Sequence, residues 1–200
     1  MRSGIFTTAL LLVAGLPSAA AETAAAAPNE VVRIEKYNCT QLLAEAVARQ
    51  GRPEVALQLA RQAGSHGVWV HVAGVLARQG RADLSAGLWE RAEAPLRASV
   101  ERGEGHEGLL ATLLLDRDAP GDARPALALA DIDASRRGDP RARWTLARAL
   151  ARAGHLELAR DTLKQALAPG WREPLLFLDA ARVEDALGDA AHADELRRAA

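Results

Sequence analysis

Residues Leu146–Ala166 read LARALARAGHLELARDTLKQA, and four positions in this stretch decide the fold. Gly154 separates two runs of helix-forming residues. Leu146 lies eight residues before it, and Ala159 and Ala166 lie five and twelve residues after it. Glycine tolerates the left-handed backbone conformation that often closes a helix, so Gly154 ends the first run. Ala159 and Ala166 are two turns apart on one face of the second run. Small residues there let two antiparallel helices approach closely, and Leu146 packs in from the first. The stretch reads as a helical hairpin.

The arrangement recurs outward from Gly154 in both directions. Gly51, Gly80 and Gly188 close similar stretches, and Gly121 closes a weaker one. Five residues after these glycines stand Ala56, Ser85, Ala126 and Ala193. Twelve after stand Ala63, Ala92 and Ala200, with Asp133 the exception. Eight before stand Leu43, Val72, Leu113 and Ala180. One hairpin cannot bury its apolar face alone, so neighbours must stack. Pro53, Pro140 and Pro174 mark first helical residues, and Asp139, Asp122 and Asp189 are candidate caps. The pattern predicts helices at about 39–50, 53–63, 68–79, 82–94, 95–102, 108–115, 122–136, 140–153, 156–167, 174–187 and 190–199. Val31 to Ile34 is too short to build a sheet. The expected fold is all-α, an α-solenoid of about five antiparallel helical hairpins over residues 37–200.

The glycine, the small residues after it and the Leu before it resemble the tetratricopeptide repeat, whose period is 34 residues. The steps from Gly121 to Gly154 to Gly188, 33 and 34 residues, fit it. Trp69 and Phe177 stand at the family's large aromatic position. Ala86, Trp89 and Ala92 are also similar to Sel1-like repeats. Ala94 to Gly108, with Pro95 and three glycines, departs most from the pattern. The resemblance implies that the first helix of each hairpin lines a concave surface. The inward positions are then Gln41, Glu45 and Arg49; Val70 and Arg78; Arg141, Trp144, Arg148 and Arg152; and Leu178 and Arg182. Arg49, Arg78, Arg141, Trp144, Arg148, Arg152 and Arg182 form the expected partner-binding groove, a basic stretch around an aromatic. An acidic peptide or an acidic helix suits it. The Lys and Asn pattern of the relatives that clamp acidic C-termini is absent.

Composition agrees with helices. Of the 200 residues 49% are hydrophobic and 4% aromatic, and the apolar content is mostly Ala and Leu, which lose little entropy in a helix. The formal charge of -1 gives no general attraction to nucleic acid or acidic lipid. Lys36 and Lys164 are the only lysines in an Arg-rich chain, the residue usage of a GC-rich bacterial genome.

The first residues read as an address. Arg2 is a short positive start, Ile5 to Leu16 an uncharged apolar run, and Ala19 to Ala21 the small residues a signal peptidase reads. Cleavage is expected before Glu22, giving a signal peptide over 1–21, a flexible lead-in over 22–36, and a periplasmic or secreted protein. The apolar run is short for a membrane span. No cysteine stands at the cleavage site, so lipidation is not expected. Cys39 is the single cysteine, suited to burial or to an intermolecular bridge.

Catalytic and metal signatures are sparse. No Ser sits in a Gly-x-Ser-x-Gly elbow, and no Gly-rich phosphate loop is present. His66, His71, His106, His155 and His192 lack the i, i+3 or i+4 spacing of helix-borne ligands and read as surface or turn residues. Asp116 to Gly121 begins like a calcium loop but lacks the closing Glu, with Leu127 in its place, so Asp116 and Asp118 read as solvated carboxylates at a helix end. The expected function is an exported protein-interaction scaffold or assembly factor with no cofactor, metal or catalysis. A small helical periplasmic enzyme or metal-handling protein is the alternative.

Overall fold

Four hairpins are closed by the same backbone device. Gly51, Gly80, Gly154 and Gly188 all have positive φ, from 74° to 87°. In each, the following residue's N–H reaches back over the last turn: Arg52 to Val47 O, Arg81 to Leu76 O, His155 to Leu150 O and Asp189 to Glu184 O. This is the left-handed glycine stop that satisfies carbonyls a helix end would otherwise leave open.

The structure, a computed structural model, describes residues 40–200, within the unit Tyr37–Ala200. The expected signal peptide, lead-in, Val31 to Ile34 and Cys39 lie outside the described residues. The described residues form helices α1 (40–49), α2 (Pro53–Ala63), α3 (His66–Arg78), α4 (Ala82–Glu101), α5 (Glu107–Arg117), α6 (Ala123–Arg137), α7 (Pro140–Arg152), α8 (Leu156–Leu167), α9 (Pro174–Leu187) and α10 (Ala190–Ala199). No strand occurs among them. Helices α3 and α4, α5 and α6, α7 and α8, and α9 and α10 pair as hairpins, α1 and α2 contribute Ala44, Ala48, Ala56 and Ala60 to one buried cluster, and α3, α5, α7 and α9 also pack on one another in turn. The fold is an all-α array of antiparallel hairpins.

Small residues hold each hairpin together. Ala56, Ser85, Ala126, Ala159 and Ala193, each five after a glycine, are all fully buried. Ala92 and Ala166 are buried twelve after, and so is Asp133. Pro53, Pro140 and Pro174 open their helices, and Asp139 and Asp189 cap α7 and α10 through the N–H groups of Ala142 and His192.

The structure corrects five expectations. The helices expected at 82–94 and 95–102 are one helix, α4, with Pro95 inside it. Leu88, Ala92, Leu96 and Ser99 carry one buried face across the proline, and their burial outweighs the lost hydrogen bond. Helix α5, expected over 108–115, runs Glu107–Arg117, but Gly121 does not close it: the left-handed stop is Asp118, the one described non-glycine residue with positive φ, 55°. Its turn is accordingly longer than the other four. Asp122 does not cap α6; it accepts hydrogen bonds from Arg117 and from the Ala119 N–H. Leu43 is 53% exposed rather than packed inward. Val70, expected in the groove, is fully buried in the core.

The core is unevenly divided. A large cluster runs through α1 to α5 and includes Val68, Leu76, Leu88, Leu96, Leu110 and Leu114. A second joins α7 to α10 through Leu163, Leu176 and Val183. A third, small cluster consists of Ala111, Ala130 and Ala149, with Leu115, Leu127, Leu129 and Leu146 packed at the edge.

Candidate functional site

The first helices of the hairpins contribute one row of charged side chains. Arg78 lies on α3, Asp116 on α5, Arg148 on α7, and Asp179 and Arg182 on α9. Asp116 stands between two arginines, 3.7 Å from Arg78 and 2.5 Å from Arg148. Arg148 reaches on to Asp179, at 3.6 Å, and Arg182 pairs with Asp179 at 2.5 Å. Positive and negative groups thus alternate across four helices and the three boundaries between their hairpins. Asp116 is only 7% exposed and Arg148 22%. Burial favours loss of charge on Arg148, but Asp116 and Asp179 outweigh it and hold the guanidinium more strongly protonated than usual.

Trp144, one turn before Arg148, braces the row. Its indole N–H donates to Asp179 Oδ2 at 2.9 Å. Its ring meets Trp171 edge to face, centroids 5.8 Å apart, and the Arg148 guanidinium lies 5.9 Å from its centroid. Trp171 therefore belongs to this wall. On the other side Arg152 pairs with Asp118 at the end of α5, and Arg49 lies 3.8 Å from Glu45 on α1.

Two cavities follow this row. The smaller, about 110 Å³, is lined by Glu45, Arg49, His71, Arg78, Asp116, Arg141, Trp144 and Arg148 among others. The larger, about 300 Å³, lies against α7, α8 and α9 and is lined by Arg148, Arg152 and Arg182 over an apolar floor. Arg148 is the wall they share. All seven residues singled out from the sequence therefore line one of two neighbouring cavities. Arg141 makes no ion pair among the described residues.

The groove is not the basic stretch that the sequence suggests. Six arginines face Glu45, Asp116, Asp118, Glu173 and Asp179. Asp116 and Asp118, read as solvated, are both paired with arginines, and the Asp116 side chain is largely shielded from solvent. His71, read as a surface or turn residue, lies within α3 facing the smaller cavity. Burial lowers its pKa first; Glu45 and Asp116 oppose this, and Arg141 and Arg78 reinforce it, so the ring is neutral at pH 7. No cluster of His, Cys, Asp or Glu suited to a metal ion occurs among the described residues.

One other polar cluster brings Ser, His and a carboxylate together. Ser99 Oγ lies 2.6 Å from Glu104 Oε2 and 2.5 Å from His106 Nδ1. The geometry is not nucleophilic. Ser99 is buried, and the carboxylate touches the serine rather than orienting the far side of the imidazole. The cluster ties down the turn between α4 and α5, with Arg102 holding Glu104 from outside at 2.6 Å.

No protein-family model matches the chain, and no curated protein does. Solved structures match it at low likeness. MamA from Desulfovibrio magneticus RS-1 is 16% identical, covering 80% of this chain and 90% of that one, with a TM-score of 0.45. A kinesin light chain from Podospora anserina with nearly identical TPR-like repeats is 16% identical, covering 82% and 92%, with a TM-score of 0.46. MamA of MSR-1 is 20% identical over 82% and 94%, with a TM-score of 0.42. The hairpins themselves, with their glycine stops and buried small residues, give the described residues a tetratricopeptide-like fold of stacked helical hairpins.

Proposed function

We propose that the protein is an exported, non-catalytic interaction scaffold that holds a segment of a partner protein in the groove of α1, α3, α5, α7 and α9. The observation that carries this reading is the convergence of Arg78, Arg141, Trp144, Arg148, Arg152 and Arg182 on two neighbouring cavities. A pre-formed concave site with an aromatic and several guanidinium groups is the kind of surface that captures a peptide. The alternating acids refine the expected partner. A strongly acidic segment would compete with Asp116 and Asp179, whereas a segment mixing carboxylates with apolar or neutral polar groups fits the row as it stands. Export rests on the charged start, apolar run and Ala19 to Ala21 of the sequence.

The test is capture from a cell-envelope extract by the immobilised protein, beside an Arg141→Glu, Arg152→Glu variant. These two side chains are exposed, so the fold should survive the change. Loss of a specific captured protein with unchanged circular dichroism supports the groove. Equal capture by the folded variant overturns it. Intact-mass measurement of periplasmic protein tests export: a mass beginning at Glu22 is expected, and a full-length mass refutes cleavage.

A further inference from the structure

The larger cavity pairs an apolar floor with a rim whose acids are already engaged. Leu115, Leu156, Leu163 and Val183 form the floor. At the rim, Asp179 accepts from Trp144 and Arg182 and lies beside Arg148, and Asp118 is held by Arg152. The arginines are not exhausted in the same way. A guanidinium carries five N–H donors, and Arg152 and Arg182 remain 48% and 69% exposed. Three arginines face two aspartates there, so the open functionality of the rim is donor and cationic. A volume of about 300 Å³ admits a single large side chain.

We infer that this cavity takes one bulky apolar side chain of a partner peptide that has an Asp or Glu beside it, the carboxylate being bound by Arg152 and Arg182. The inference rests on the groove reading above and names the feature of the partner that the groove selects. A peptide fits better than a free amphiphile because Arg148 is the wall common to both cavities. A chain anchored here can continue past Trp144 and Arg141 along the row.

Selection of a random dodecapeptide display library on the purified protein tests this. Leu, Phe or Trp adjacent to Asp or Glu should be enriched. A synthetic peptide from that pool should lose about tenfold or more in affinity, some 1.4 kcal/mol, against Arg152→Gln, Arg182→Gln. Ala in place of its apolar residue should cost as much, a readout that needs no protein variant. Narrowing the cavity with Ala151→Leu should abolish the apolar preference. Enrichment of unrelated sequences whose binding depends on Arg141 but not on Arg152 and Arg182 overturns the inference and leaves the groove standing. If no peptide binds, both fall. If hexanoate competes at concentrations matching the peptide's own affinity, the cavity is a small-amphiphile site and the inference is wrong.

Discussion

Asp116 and Asp133 press on glycines in the helices packed against their own. A Cβ added at Gly74 would lie 2.2 Å from Asp116 Oδ2, and one at Gly108 would lie 2.2 Å from Asp133 Oδ2. Mid-helix glycine usually costs stability relative to alanine, so here its absence of a side chain is what admits the carboxylate. Gly87 on α4 has nothing within 4 Å of the same position. Gly87→Ala should therefore raise stability by about 0.5–1 kcal/mol, while Gly74→Ala should lower it by about 1–3 kcal/mol through overpacking. Chemical denaturation of the two variants checks the difference in sign. Asp133 has a further cost. Burial pushes its carboxyl above the usual carboxylate range, as do Asp139 and Glu107, and Arg137 and Arg136 only partly counter this. With a raised folded pKa, its contribution is most favourable at low pH and is lost as pH rises through that value. Asp133→Asn should accordingly raise the melting temperature at pH 7, and the gain should vanish near pH 3, where both side chains are neutral. Equal gains at both pH values would rule out the charge as the cause.

At the scale of the helix, the signals that proved legible are local. Gly154 and Gly188 stop helices, Pro140 and Pro174 start them, and Asp139 caps one, all through atoms within a few residues. Where tertiary contact overrides local chemistry, the sequence misleads. Pro95 reads as a boundary, yet α4 runs through it because Leu96 and Ser99 continue the buried face of Leu88 and Ala92. Since the helix persists despite the proline, Pro95→Ala restores a hydrogen bond to Arg91 O and should stabilise by about 1–2 kcal/mol after the loss of unfolded-state restraint. A neutral or destabilising result in urea unfolding would mean that α4 gains something from the ring itself. The candidate site divides in the same way. Arg141, Trp144, Arg148 and Arg152 could be placed on one face by spacing alone. Their acids could not: Asp116 stands 32 residues from Arg148, and Asp179 35 from Trp144, although Asp179 also has Arg182 one turn away on its own helix.

Over the whole molecule, the charge row crosses the array where its apolar packing is thinnest. The large cluster of α1 to α5 and the smaller one of α7 to α10 meet through three buried alanines and the leucines at their edge. Nearest-neighbour arrays behave as coupled units, and cooperativity fails first at the weakest interface. Arg148 spans that interface, joining Asp116 on α5 to Asp179 on α9. Removing it leaves Asp116 to Arg78 alone and Asp179 to Arg182 and Trp144, a loss of about 1–3 kcal/mol. Arg182, 69% exposed, should cost at most about 1 kcal/mol when truncated. The cost at Arg148 falls on the coupling between halves rather than on either half. In Arg148→Ala, hydrogen exchange should therefore quicken through α8, α9 and α10 ahead of α3 and α4, and thermal unfolding should split into two steps, the half with the smaller core melting first. The Arg182→Ala variant should keep one transition. A single transition in Arg148→Ala, with uniform loss of protection, would show that the alanine seam alone transmits the coupling. Arg148 would then serve the groove and not the integrity of the array.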